Sequence, residues 1–287
     1  MKVSTQTDAA SAYLGERKAV ELIAQAGFDA WDFSMFRMVR YDPKTRSFSE
    51  TDHPLSGNER LRFARELRHI GLECGIECNQ SHAPFPSLMP QMRDWLLRAV
   101  ECTAEAGGKI CVIHPDNDGS AEQNAEMYSE LLPFARQCGV RIATENMWNW
   151  SRELGHSVFA ACATPKSFIA HLDAVNDDYL VACLDIGHAE MLGSDTSAVE
   201  MAEKLGPRLK ALHIHDNDKL NDSHQIPFSM NIDFPPIVRA LKKTGYTGYF
   251  TLECDCYISS HKGERVAEDL HDMRSAAKRL AEMFENS

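Results

Sequence analysis

Eight short apolar or β-branched runs alternate with eight helix-like patterns along the whole chain, and this alternation restricts the fold more than any single motif. The pattern predicts strands over 3–7, 30–35, 75–79, 110–115, 141–146, 181–186, 209–214 and 249–253. Between and after them, apolar residues recur at three- and four-residue steps over 14–26, 58–70, 90–106, 121–138, 165–175, 196–205, 235–243 and 266–284. Gly27, Gly71, Gly107, Gly139, Gly206 and Gly245 each stand just past a helical pattern, where a left-handed residue turns the chain toward the next strand. Strict alternation implies parallel strands joined by right-handed crossovers. Eight units are enough to close the sheet, so the expected fold is α/β, a single (β/α)8 TIM barrel with an outer ring of helices. An open doubly wound sheet is the competing architecture, but no Gly-x-Gly-x-x-Gly turn follows the first strand.

With 287 residues, 44% of them hydrophobic, and no Pro/Ser/Gly-rich linker, the chain reads as one domain over 1–287. Its net charge of −12 opposes binding to phosphate backbones, so nucleic acid is disfavoured as a partner. The first residues have no signal-peptide pattern, and no run approaches the roughly 20 apolar residues of a membrane span. Nine cysteines, most inside apolar runs, suit reduced thiols in a cytoplasmic protein. Cys74 with Cys78, and Cys254 with Cys256, lack the spacing of a zinc ribbon.

Four strand ends carry chemistry: Thr144-Glu145-Asn146, Asp185-Ile186-Gly187-His188, His213-Ile214-His215-Asp216 and Leu252-Glu253-Cys254-Asp255. In a closed barrel the loops after the strands share one face, so Glu145, Asp185, His215 and Glu253 are expected to meet there. Three carboxylates and one imidazole form a mostly hard ligand set, suited to Mn²⁺, with Mg²⁺, Co²⁺ or Zn²⁺ as alternatives. Without a cation, crowded carboxylates would repel one another. The competing reading is a set of structural ion pairs at strand ends.

These runs, preceded by Val112-Ile113-His114-Pro115 and taken in order, resemble the xylose isomerase-like barrel superfamily. It includes sugar isomerases and epimerases, inosose dehydratases, hydroxypyruvate isomerases and endonuclease IV-type repair enzymes. The resemblance implies that Glu145, Asp185, His215 and Glu253 are metal ligands and that His188 contacts substrate, while His213, deeper on the same strand face, packs or hydrogen-bonds. His82 in Ser81-His82-Ala83-Pro84, His114, His188 and the Asp222-Ser223-His224 run also match the repair enzymes, which hold three zinc ions. These residues are therefore additional metal candidates, or pocket histidines that never touch metal.

Several features favour sugar over DNA. The stretch 146–164 holds only Arg152 as a basic side chain, beside Trp148, Trp150, Glu153 and His156. Trp148, His114, His82 and His156 are candidate substrate contacts, His156 on chemical grounds alone. His53, His69, His171, His261 and His271 lie away from the strand ends and read as packing or solvated residues. By resemblance, Glu145 and Glu253 would move the proton next to a metal-chelated carbonyl. The chain departs from the epimerases at Ser151, where a second glutamate is frequent, and in Pro227-Phe228-Ser229, which lacks the usual glycine. Lys219 is the nearest cation to the place of an arginine found after strand seven in some epimerases. The expected activity is that of a metal-dependent sugar, sugar phosphate or cyclitol isomerase or epimerase. A dehydratase on the same scaffold, a repair phosphodiesterase and a non-catalytic sugar-binding barrel remain as alternatives. Barrels of this kind commonly self-associate, so a homo-oligomer is compatible with the reading.

Overall fold

A computed structural model describes residues 1–87 and 89–287 and closes the eight predicted units into one barrel. Its strands are β1 (Val3–Gln6), β2 (Ala30–Ser34), β3 (Glu77–His82), β4 (Ile110–Val112), β5 (Arg141–Glu145), β6 (Leu180–Asp185), β7 (Leu209–His213) and β8 (Phe250–Leu252). They form one parallel sheet in the order β7-β6-β5-β4-β3-β2-β1-β8. The seam between β7 and β8 closes through a parallel bridge of Ile214 with Leu252, where Glu253 N donates to Ile214 O at 3.0 Å.

Side chains alternate along each strand between the helical shell and the barrel interior. The outward set, including Trp31, Phe33, Ile142, Leu184, Leu212 and Phe250, joins the large core under the helices. Burying each such side chain contributes about 1.5–3 kcal/mol relative to leaving it exposed. Inside, Val112, Ala143, Val181, Cys183 and Ala211 form a second, smaller apolar cluster. Helix starts follow their local chemistry: Ser120 and Gln123 form a reciprocal cap on Ala121–Cys138, and Thr164 caps Pro165–Val175.

Some expectations change. The third strand starts at Glu77 and runs to His82, so His82 lies at the strand end and not in the following loop. The first helical pattern starts at Glu16, and an unexpected short helix, Asp8–Leu14, precedes it, the two separated by Gly15 with a φ of 77°. Gly71 is no helix stop. It lies within Arg60–Glu73, where an added Cβ would stand 2.9 Å from Trp31 Nε1 and 3.1 Å from Ile76 O, and Gly75 takes the positive φ instead. Two antiparallel hairpins, Arg40–Asp42 with Ser47–Ser49 and Asn149–Ser151 with His156–Val158, have strands too short for periodicity to reveal. Phe228 supplies the positive φ that a glycine would ordinarily take after β7, its ring packed against Phe234 and under the Arg279 guanidinium. Among the described residues no helix is long and apolar enough to cross a membrane.

Candidate metal centre

The same parity that builds the barrel interior aims the site. Glu145, Asp185, His213 and Glu253 each stand two residues beyond an inward side chain, namely Ala143, Cys183, Ala211 and Thr251. Register then sets the neighbours: Asp185 pairs with His213 across β6 and β7, and Cys183 pairs with Glu145 across β6 and β5. As a result Glu145, Asp185, His213 and Glu253 bring their ligand atoms within 4.8 Å of one another. His213 Nδ1 lies 3.1 Å from Glu145 Oε2 and 3.2 Å from Glu253 Oε2. Its other nitrogen, Nε2, lies 3.2 Å from both Asp32 Oδ2 and Gln80 Nε2, which fixes the ring. Gln6 Nε2 donates to Glu253 Oε1 at 2.8 Å. Asn146 exchanges two hydrogen bonds with the Asp185 backbone, and His188 N donates to Asp185 Oδ1 at 2.7 Å.

His215, the imidazole expected as a ligand, lies two residues further along the chain and meets Asp185. Its Nε2 is 3.2 Å from Asp185 Oδ1 and 3.3 Å from Asp222 Oδ1, and it groups with His188, Asp222 and His224. Both histidines of the HxH run face inward because they are two residues apart; His213 meets Glu145 and Glu253, and His215 is the one whose ring meets Asp185. His215 also depends on Gly187, where an added Cβ would come within 1.9 Å of its ring. A third group joins His82 and His114 to Glu145, with His114 Nε2 3.4 Å from Glu145 Oε2.

The histidines around the quartet are held as ligands commonly are, with one nitrogen on a backbone carbonyl, and the other nitrogen of His188 and of His224 turns to Asp222 Oδ2 at 3.4 and 3.2 Å. His82, His188 and His224 point Nδ1 at the carbonyls of Ala83, Asn146 and Glu253, at 3.0, 2.8 and 3.0 Å. Among the buried atoms without a hydrogen-bond partner are Asp185 Oδ2, His215 Nε2, Asp222 Oδ1 and His114 Nε2. Leaving each buried and unmet costs about 1–3 kcal/mol, so the donor set fits divalent cations.

Electrostatics agree. Burial alone would raise the Glu145 carboxyl, but His213 and His114 outweigh it and hold the group well below the usual carboxylate range. Burial likewise opposes ionisation of Asp222, yet His188 and His224 hold it well below that range. Burial lowers His188 while Asp185 and Asp222 raise it further, to about 10. Burial, with His114 beside it, depresses His82 to about 3. Protonated imidazoles thus balance the carboxylates of the metal-free cup, in the place a cation would take.

A cavity of about 660 Å³ opens onto this cup. Glu145, Glu253, His82, His114, His188, Trp148, Asp222 and His224 line it, whereas Asp185 and His213 lie behind its wall. Trp148 Nε1 donates to Asp222 Oδ2 at 3.2 Å. His156 is not brought to the cavity: it sits in the second hairpin, Nδ1 on Ser157 O at 2.6 Å, with its ring against Gly193. Sequence reasoning missed Phe36, Phe85 and Asp255 on the wall, and Asp32 and Gln80 behind it. The last two had a signal, since each is polar at an inward position of an interior strand.

An uncharacterized protein of Sinorhizobium fredii is 30% identical over 294 residues, covering 92% of this chain and 91% of that protein. An inosose dehydratase of Yersinia enterocolitica is 26% identical over 157 residues, covering 48% of this chain and 49% of that enzyme. Among solved structures, a D-tagatose 3-epimerase-like protein superposes with a TM-score of 0.73 at 21% identity, covering 100% of this chain and 99% of that one. The description of the xylose isomerase-like TIM barrel matches residues 20–282, and the chain belongs to that family.

Proposed function

We propose that this protein is a divalent-metal-dependent isomerase or epimerase of small polyhydroxylated sugars. The observation that carries the reading is the division of labour within the quartet. All four side chains converge, but only Glu145 and Glu253 also face the cavity, so these two can both hold a metal and touch a substrate carbon. Glu145, Asp185, His213 and Glu253 would hold the ion, with Mn²⁺, Mg²⁺ or Co²⁺ matching the three carboxylates and Zn²⁺ an alternative. Bound there, such an ion acidifies the C–H beside a chelated carbonyl and stabilises the charge that develops on oxygen. Glu145 and Glu253 would remove and return the proton, Asp32 and Gln80 would keep His213 in line, and His188 and Trp148 would orient hydroxyls. The likeness to a D-tagatose 3-epimerase-like fold supports this reading.

A lyase is the second reading, favoured by the partial match to inosose dehydratase. It begins with the same proton abstraction and ends with loss of water. Hydrolysis of phosphodiesters is less well supported, because Lys and Arg side chains are missing from the described cavity wall. The test is deuterium uptake at the α-carbon of ketoses in heavy water, followed by NMR with Mn²⁺ added. Uptake abolished by a chelator and reduced about 10²–10⁴-fold in Glu145→Gln and Glu253→Gln is the expected result. Uptake that survives metal removal would contradict the proposal, and an alkene or dehydrated ketone among the products would select the lyase.

A further inference from the structure

Three aspartates line the cavity, and two of them are already engaged. Asp116 Oδ1 accepts from Asp118 N at 2.8 Å, a bond that holds its own loop. Asp222 Oδ2 accepts from Trp148 Nε1 and lies by His224 Nε2, each at 3.2 Å, with His188 Nε2 3.4 Å away. Asp255 differs. It is half-buried on the same wall, yet among the described residues no side chain donates to its carboxyl group.

Its surroundings do not account for an aspartate at this place. Asp8, an acidic neighbour that does not line the cavity, is served by Ser34 Oγ at 3.2 Å. Burial, Asp8 and Glu253 make a carboxyl group costly at 255 and push it up to about 8. An apolar side chain would avoid that cost. A hydroxyl group from the cavity would offset it, and because a hydroxyl both donates and accepts, it can meet Asp255 in either protonation state.

Position selects the hydroxyl. Asp255 follows Glu253 by two residues and opens the helix Asp255–Ser260, so their α-carbons stand about 5–7 Å apart. Along a sugar chain that separation spans roughly two to four carbons.

Resting on the sugar reading above, we propose that Asp255 is a specificity-determining residue of the cavity, bonding a hydroxyl about two to four carbons beyond the carbon that Glu253 serves. The substrate is then a ketose or ring ketone hydroxylated at that place. Its carbonyl end stays at the metal, where Glu145 and Glu253 act on the adjacent C–H.

The experiment is calorimetric titration of Mn²⁺-loaded protein with D-fructose, D-tagatose, D-sorbose and D-psicose, each beside its 4-, 5- and 6-deoxy counterparts. In at least one series, loss of one hydroxyl should weaken binding about tenfold or more. Asp255→Ala should bring that pair within about twofold of each other, and Asp255→Asn, whose amide still accepts and donates, should keep part of the difference. A side chain that serves only its helix would weaken hydroxylated and deoxy sugars equally, and that result overturns the proposal. So does a wild-type protein that binds every deoxy sugar as tightly as its parent, or one that binds none of the ketoses. Deuterium exchange separates the two claims. A deoxy penalty erased by Asp255→Ala, without exchange into any ketose, keeps this inference and removes the isomerase; exchange with no deoxy penalty does the reverse.

Discussion

The two halves of the barrel interior are built from opposite materials. Around β1, β2, β3 and β8 the inward side chains are polar and bonded to one another. Ser4 Oγ donates to Thr251 Oγ1 at 2.7 Å, Asn79 Nδ2 to the same oxygen at 3.2 Å, and Gln80 Nε2 to Asp32 Oδ2 at 2.9 Å. Around β4 to β7 the interior is the apolar cluster of Val112, Ala143, Val181, Cys183 and Ala211. Yet three of the four quartet residues grow from the apolar half. The difference teaches that the apolar half sets where the ligands emerge, while the polar half reaches across and sets how they point. His213 is the junction: it rises from Ala211 on the apolar side and is gripped through Nε2 by Asp32 and Gln80 on the polar side.

Substitutions can break that contrast. Asp32→Ala removes the grip and leaves the fold's packing in place, so metal affinity should fall about 10–100-fold, as titration with Mn²⁺ followed by electron paramagnetic resonance would show. An unchanged affinity would mean that the polar half is only filler. Acidification tests the same junction. Burial lowers His213, but Cys183, Glu253 and Glu145 raise it well above the ordinary histidine value, so the metal-free cup keeps that proton at neutral pH and a metal must expel it. Affinity should therefore weaken by about tenfold for each proton displaced as pH falls by one unit, with the same sign for His188. Proton release on binding, measured in two buffers of different ionisation enthalpy, checks the count.

On the apolar side Val112→Ala should cost about 1–3 kcal/mol in denaturant unfolding, with metal affinity little changed. A large loss of affinity there would erase the distinction between the halves. Ser4→Ala should be mildest, about 1 kcal/mol, because Thr251 Oγ1 keeps its contact with Asn79.

Strand alternation and helix periodicity were enough to foresee a closed barrel, because both are local patterns with a fixed period. Glu145, Asp185 and Glu253 could be placed at the rim for the same reason. Parity treats His213 and His215 alike, and the structure keeps both against the carboxylates: His213 meets Glu145 and Glu253, and His215 meets Asp185. His156 lies beyond a hairpin whose two strands are three residues each, too short to betray that the chain folds back and carries its ring away from the cavity. Gly71 shows the opposite limit: its spacing suited a helix stop, whereas the close approach of Trp31 is a tertiary demand that no spacing encodes.

The account rests on one cation held by side chains from four strands. Anomalous scattering at the manganese edge, from crystals grown with Mn²⁺, tests it most directly. The predicted result is an ion bound to Glu145, Asp185, His213 through Nδ1, and Glu253. A cup that stays free of metal, or an ion bound only through His215 with His213 still closed onto Glu145 and Glu253, would contradict it.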